Sequence, residues 1–358
     1  MKKCFLRLAF AALLLLPLAS CTKEDPIPEV TFDKKVLIIN QGNYSEQSAS
    51  ISLFDENTMQ ITNRIYESAN GISIGATIIS GVVSPDKEAY LVCNNPDKIE
   101  IIEASTGKLK STITEGLESP RNVLIAGEMF FVSNWGYNHI VNDAGWWEFN
   151  ESYISVYDTK TKTLMKKFLV GTDAEGMALY GNRLFVAVKE GIKVIDISNA
   201  SFSTVSVIRA PGFTGGAKHI AFDKNYNLWV SFPDKGLVQI DPVSLAVVGT
   251  VTVPVDGMDG FIIADKTGQK IYTYQTKFNA NYQPEEASIY SVDVTTKTYT
   301  KFFAGTYFYG VGVSPSTGNL FTAEVSFTSN SLLKVVGTDG TLKTSASAGI
   351  GTCRYLFF

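Results

Sequence analysis

"RLFVAVKEGIKVIDISNASFSTVSVI", residues 183–208, reads as three short strands joined by tight turns. An apolar run, Leu184–Val188, gives way to the turn "KEG". A second run, Ile192–Ile195, ends in an acid followed by turn residues, and a third run alternates towards Ile208. The runs are too short for helices and rich in β-branched residues, which is strand chemistry. The same sentence recurs along the chain. "NLWVSFPDKGLVQIDPVSLAVVGTVTV" (227–253) follows directly, and "MFFVSN" (129–134) with "YISVYDTKTKTLMKKFLVG" (153–171) precedes it. Further copies are "KIYTYQ" with "ASIYSVDVTTKTYTKFFAG" (270–305) and "NLFTAEVSFTSNSLLKVVGTDGTLKTSAS" (319–347). Upstream lie "VLIINQG" with "ASISLFDENTMQITNRI" (36–65) and "AYLVCNNPDKIEIIEASTGKLKSTIT" (89–114), making seven copies in all. Asp55, Glu103, Asp158, Asp196, Asp241 and Asp293 mark the turn after the third strand of successive copies.

A four-stranded unit recurring every roughly 40–50 residues is the signature of a β-propeller, in which each blade buries its faces only against its neighbours. The expected fold is therefore all-β: a seven-bladed β-propeller over residues 35–358. The first copy lacks an innermost strand, and the chain ends in an unassigned strand, Cys353–Phe358. That strand is expected to complete the blade begun by Val36–Asn40 and so protect the innermost edge. Composition agrees. The chain is 45% hydrophobic, with 29 Gly, 16 Tyr and 22 Phe, and its net charge of −4 gives no sign of a nucleic-acid partner.

Residues 1–20 do not belong to this fold. They combine a basic start (Lys2, Lys3, Arg7) with an apolar stretch too short to span a bilayer and small residues before a cysteine. "LASC" resembles the bacterial lipobox, which implies a lipoprotein signal peptide and acylation of Cys21. Residues 21–34 then form a lipidated acidic tether, in which Lys23, Glu24 and Asp25 resemble the signal that sends some lipoproteins to the cell surface. An ordinary secretory signal and a plain solvated linker are the plainer readings of the same residues. Cys93 and Cys353 remain for the fold, as a disulfide or as two buried thiols.

The repeats resemble the YncE-like seven-bladed propellers. With the lipobox and tether added, the whole chain resembles surface lipoproteins of the BtuG family. That resemblance implies a protein that captures a corrinoid (vitamin B12) on one propeller face and passes it to an outer-membrane TonB-dependent transporter. It rests on architecture and targeting, not on a short motif. The alternative is a protein-interaction scaffold of an outer-membrane uptake complex with no small ligand of its own.

Strand direction places the loops after the second and fourth strands of every blade on one face. Turns on the other face are uniformly short. Two long segments fall on the variable face: "SNWGYNHIVNDAGWWEFNES" (133–152) in the third blade and "QTKFNANYQPEE" (275–286) in the sixth. Trp135, Tyr137, Trp146, Trp147, Phe149, Phe278, Tyr282, Tyr307, Phe308 and Tyr309 make an aromatic arc there. Such rings either pack on one another to hold the loops down or contact a ligand. The binding reading assigns apolar contact to Tyr44, Trp135, Tyr137, Trp146, Trp147, Phe278, Tyr282 and Tyr309, and polar contact to Arg121, Lys218 and Asp259. Aligning the starts of the inner strands places Arg121, Asn122, Glu175, Lys218, His219, Asp259, Tyr309 and Arg354 at the mouth of the central channel. Those groups either orient a polar ligand or line a hydrated bore.

Catalytic patterns are weak, and the expectation is a protein that is not an enzyme and binds no metal of its own. Only two histidines occur, His139 and His219, without metal-ligand spacing. Glu285 and Glu286 read as solvated, and "TGG" (214–216) is a turn with no helix behind it. A propeller lyase would need a metal or a charge-paired base. Basic residues are spread around the ring, which disfavours the DNA binding of some YncE-like relatives.

Overall fold

A computed structural model describes residues 33–213, 215–233 and 235–358. Cys21, the signal peptide and the tether as far as residue 32 lie outside these residues. Seven four-stranded antiparallel sheets follow one another around a central axis. Blade 2, for example, runs from an inner strand Thr77–Val83 through Glu88–Asn95 and Asp97–Glu103 to an outer strand Leu109–Ile113. The expected closure is present. Thr352–Phe357 is the innermost strand of blade 1 and pairs antiparallel with Lys35–Asn40, with Val36 opposite Phe357 and Ile39 opposite Arg354.

The core consists of seven apolar clusters, one at each junction between blades. Leu37, Ile39 and Leu91 lie in the cluster joining blades 1 and 2, whereas Val36 and Ile38 lie with Phe321 and Val335 in the cluster joining blades 7 and 1. Phe130 and Phe131 divide in the same way between blades 2 and 4. Successive side chains of a strand point to opposite faces, and here both faces are buried. That is why "VLIIN" and "LFVAV" are continuous apolar runs, while the outer strand Leu164–Gly171 largely alternates between partly buried and exposed residues.

The turn acids do the work their position implies. Asp158 Oδ1 accepts from the backbone N–H groups of Lys160 and Thr161 at 2.8 and 2.7 Å, and Asp293 repeats this with Thr295 and Thr296.

Two features differ from the sequence reading. A short helix, Ile65–Asn70, lies between blades 1 and 2 with Ile65 and Tyr66 buried. The long blade-6 segment is mostly not a loop: strands Lys270–Phe278 and Pro284–Asp293 extend beyond the ring as a paired ladder, closed by a tight turn on Asn279. Side chains alternate along it, and Glu286 bridges Lys277 and Lys301 at 3.2 and 3.0 Å, so pairing continues where composition suggested irregular chain. Of the two readings left open for Cys93 and Cys353, the structure has the buried thiols: both are free, and burial pushes each up to about 12.

Candidate functional site

The blade-3 segment leaves the ring at Trp135 and returns at Phe149, and these two rings stack at 4.8 Å. The Arg121 guanidinium also lies over the Trp135 ring, 4.0 Å from its centroid. Trp135 is thus held by two neighbours and forms a fixed post. Beyond it the chain makes a small hairpin, Ile140–Val141 against Trp147–Glu148. Asn142 braces its tip: Oδ1 accepts from the N–H groups of Ala144 and Trp146, and Nδ2 donates to Glu148 at 2.6 Å. Trp146 and Trp147 stand out from this hairpin, 72% and 64% exposed. The fourth tryptophan, Trp229, is fully buried between blades 5 and 6.

A cleft of about 580 Å³ opens on one side of the hairpin, lined by Tyr44, Asn94, Trp135, Trp146, Trp147 and Lys218 among others. A second, of about 540 Å³, lies on the other side against Lys189, Gly216, Lys218 and Met258. Trp146, Trp147, Asp173 and Lys218 border both.

Next to the first cleft, the channel mouth is a small polar cavity of about 110 Å³. Arg121, Asn122, Glu175, His219, Asp259, Tyr309 and Arg354 line it as the strand alignment expects, with Ile79 supplying blade 2, whereas Lys218, expected there too, borders the clefts instead. Glu175 receives Arg121 Nε at 3.2 Å and Lys218 Nζ at 2.9 Å, joining blades 3, 4 and 5. Asp259 accepts from Arg354 at 2.5 Å and from the Tyr274 hydroxyl at 3.0 Å. Burial raises the carboxyl pKa of Glu175 and Asp259, but their cationic neighbours outweigh it and hold both below the usual range. Burial also lowers His219 to about 4, so its imidazole is neutral beside Asp259, 4.0 Å away.

The sequence-expected residues divide into three groups. Tyr44, Arg121, Trp135, Trp146, Trp147, Lys218, Asp259 and Tyr309 gather around the two clefts and the channel mouth. Tyr137 turns instead to the outer side of blade 3, where its hydroxyl donates to Asp97 and its ring lines a groove with Tyr153, Lys167 and Leu169. Phe278 and Tyr282 sit on the blade-6 ladder and border neither cleft: Phe278 packs edge-on against Tyr307 at 5.6 Å, and Tyr282 is 86% exposed on the turn. Phe308 leaves the arc entirely, since it is buried at the junction of blades 6 and 7. His139 stacks on Trp147 at 4.5 Å and belongs to the hairpin. Asp173, Tyr274 and Met258 were missed. Asp173 and Met258 lie in the connections that enter blades 4 and 6, where alignment would have found them, whereas Tyr274 looks like any strand residue.

The fold and this face define a seven-bladed β-propeller with a cleft-bearing face over a charge-paired axial mouth. Residues 34–338 match the family described as "Domain of unknown function (DUF5074)", and the chain belongs to that family. No curated protein matches it. Among solved structures it is similar to a protein from Bacteroides uniformis ATCC 8492 provisionally called a 6-phosphogluconolactonase. The identity is 15%, the alignment covers 91% of this chain and 100% of that one, and the TM-score is 0.66. A protein from Bacteroides thetaiotaomicron VPI-5482 described as quinonprotein alcohol dehydrogenase-like is similar at 14% identity, covering 92% and 79% of the two chains with a TM-score of 0.64. A Lactobacillus plantarum protein aligns at 16% identity over 90% and 99%, with a TM-score of 0.63. At these identities the likeness is one of fold.

Proposed function

We propose that this protein is a non-catalytic ligand-capture propeller, displayed on the outer membrane through an acylated Cys21, that binds a corrinoid and passes it to a TonB-dependent transporter. The observation that supports it is the meeting of two clefts, walled by exposed tryptophans, over a mouth of ionic and amide groups. A corrinoid is a broad macrocycle fringed with amides and carrying one phosphate. Its flat faces suit indole rings, and its rim suits the N–H and carboxylate groups around Arg121, Lys218 and Asp259. Glu175 and Asp259 of the mouth are engaged in ion pairs and His219 is kept neutral by burial, which suits holding a ligand better than moving a proton.

Titrating cyanocobalamin into the protein, with absorbance corrected, is expected to quench tryptophan fluorescence saturably. Absence of saturable quenching at micromolar protein would remove the corrinoid assignment. Ile140 and Val141, exposed on the outside of the hairpin, favour a second role for the same face, docking of the transporter itself. Co-purification with a TonB-dependent receptor in the absence of corrinoid is the expected result of that role.

A further inference from the structure

We infer that the Tyr137–Glu148 hairpin is a hinged partition, and that the clefts on its two sides become one trough when it lifts. This rests on the ligand-capture reading for its purpose but not for its geometry. Trp146 and Trp147 border both clefts, and Asp173 and Lys218 run beneath as a shared floor. One thin wall therefore divides what is otherwise a continuous depression.

The wall is built to move as a unit. Its base is firm: Trp135 stacks on Phe149, Ser152 Oγ donates to the carbonyls of Trp135 and Phe149, and Asp173 exchanges hydrogen bonds with the Phe149 backbone. Its tip is firm as well, because Asn142 satisfies the turn from within and His139 and Trp147 pack on each other. Between base and tip, ties to the rest of the ring are few. Among the described residues they are the Glu148–Lys189 ion pair to blade 4, the Tyr137–Asp97 hydrogen bond to blade 2 and the Asn138–Glu151 hydrogen bond back to the base of blade 3. In that pair Lys189 is 40% and Glu148 15% exposed, so solvent screens the Lys189 side of the tie. The apolar groups of the tip, Ile140, Val141, Trp146 and Trp147, are all more than half exposed, so lifting it uncovers little apolar area. Gly136, at φ +79°, supplies a permissive joint where the chain leaves the ring.

A consequence for ligand size follows. A corrinoid with its nucleotide arm, seated across the shared floor, spans both clefts of about 540 and 580 Å³, and the partition then swings aside and closes back with Trp146 and Trp147 against it.

The test pins the wall. In the intact protein carrying Glu148→Cys and Lys189→Cys, oxidation with a short dithiol spacer, disulfide-bonded to both cysteines across the gap the long side chains leave, joins the tip to blade 4 and reduction frees it. Cyanocobalamin is expected to bind the oxidised form at least tenfold more weakly than the reduced form; equal affinity overturns the partition. A second readout needs no ligand. With all four tryptophans as 5-fluorotryptophan, the ¹⁹F signals of Trp146 and Trp147 are expected to be broadened or doubled when reduced and to sharpen on oxidation. Trp135 and Trp229 serve as unmoved references. Sharp single signals for Trp146 and Trp147, indifferent to oxidation, overturn the inference. If the wild type does not bind cyanocobalamin, the corrinoid reading falls and the ¹⁹F signals still decide whether the wall moves.

Discussion

Trp135 and Trp146 are eleven positions apart in one segment, and composition cannot tell them apart. Trp135 packs against Phe149 and the Arg121 guanidinium, whereas Trp146 faces solvent. Trp135→Ala removes a packed ring and uncouples Arg121 from its platform, at an expected cost of about 3 kcal/mol in urea unfolding. Trp146→Ala is expected to change stability by less than about 0.5 kcal/mol while weakening cyanocobalamin binding by tenfold or more. His219 gives a pH signature. Its pKa of about 4 in the fold lies below the ordinary value near 6.5, so the unfolded chain takes up the proton first. The resulting stability, about 3 kcal/mol, is complete above the ordinary value and is lost as pH falls through the window down to about 4. Unfolding at about pH 7.5 and about pH 5 is expected to show a clear loss, smaller in His219→Gln. An aligned strand start revealed that His219 stands at the axis. Only the surrounding blades reveal that it is buried.

At the scale of elements, the strands were legible because burial on both faces leaves unbroken apolar runs, and the turns because an acid must accept the freed N–H groups. The two decorated segments were less legible. Lys277 and Phe278 pair with Glu286 and Pro284 in a ladder beyond the buried Thr276 and Ala287, so its pattern lacks the apolar signal that a blade imposes. The Trp146–Trp147 hairpin has two ladder pairs, too few to produce a period. Close approaches between elements leave a mark only at glycine. At Gly310, which leads into the inner strand of blade 7, a Cβ would lie 1.9 Å from the Cys353 carbonyl oxygen of the closing strand. Gly310→Ala therefore forces the two backbones apart and is expected to destabilise the protein by several kcal/mol, read as a lowered denaturation midpoint with an unchanged slope.

For the whole molecule, seven copies and an orphan terminal strand were enough to define the ring and its closure. Which face carries the clefts also followed from strand direction. The meeting of Tyr44 with Trp135 and Lys218 did not, because it joins residues from blades 1, 3 and 5 whose proximity depends on loop paths. Deleting Cys353–Phe358 strips blade 1 of its inner strand and leaves the Val36–Asn40 edge open. The expected outcome is loss of a single cooperative thermal transition. Anchoring is tested separately: Cys21→Ser is expected to abolish acyl labelling and release the protein from membranes, with folding unaffected.

The ion pairs at the axis connect non-adjacent parts of the ring. Glu175 draws together blades 3 and 5, and Asp259 ties blade 6 to the strand that completes blade 1. They act as a hoop around the bore, and a ligand that recruits Arg121 or Lys218 must share them with it. Occupancy and the tightness of the ring are therefore thermodynamically linked. A ligand that completes the hoop raises the melting temperature by more than its contact area alone would give, and one that pries the pairs apart binds while softening the molecule that holds it.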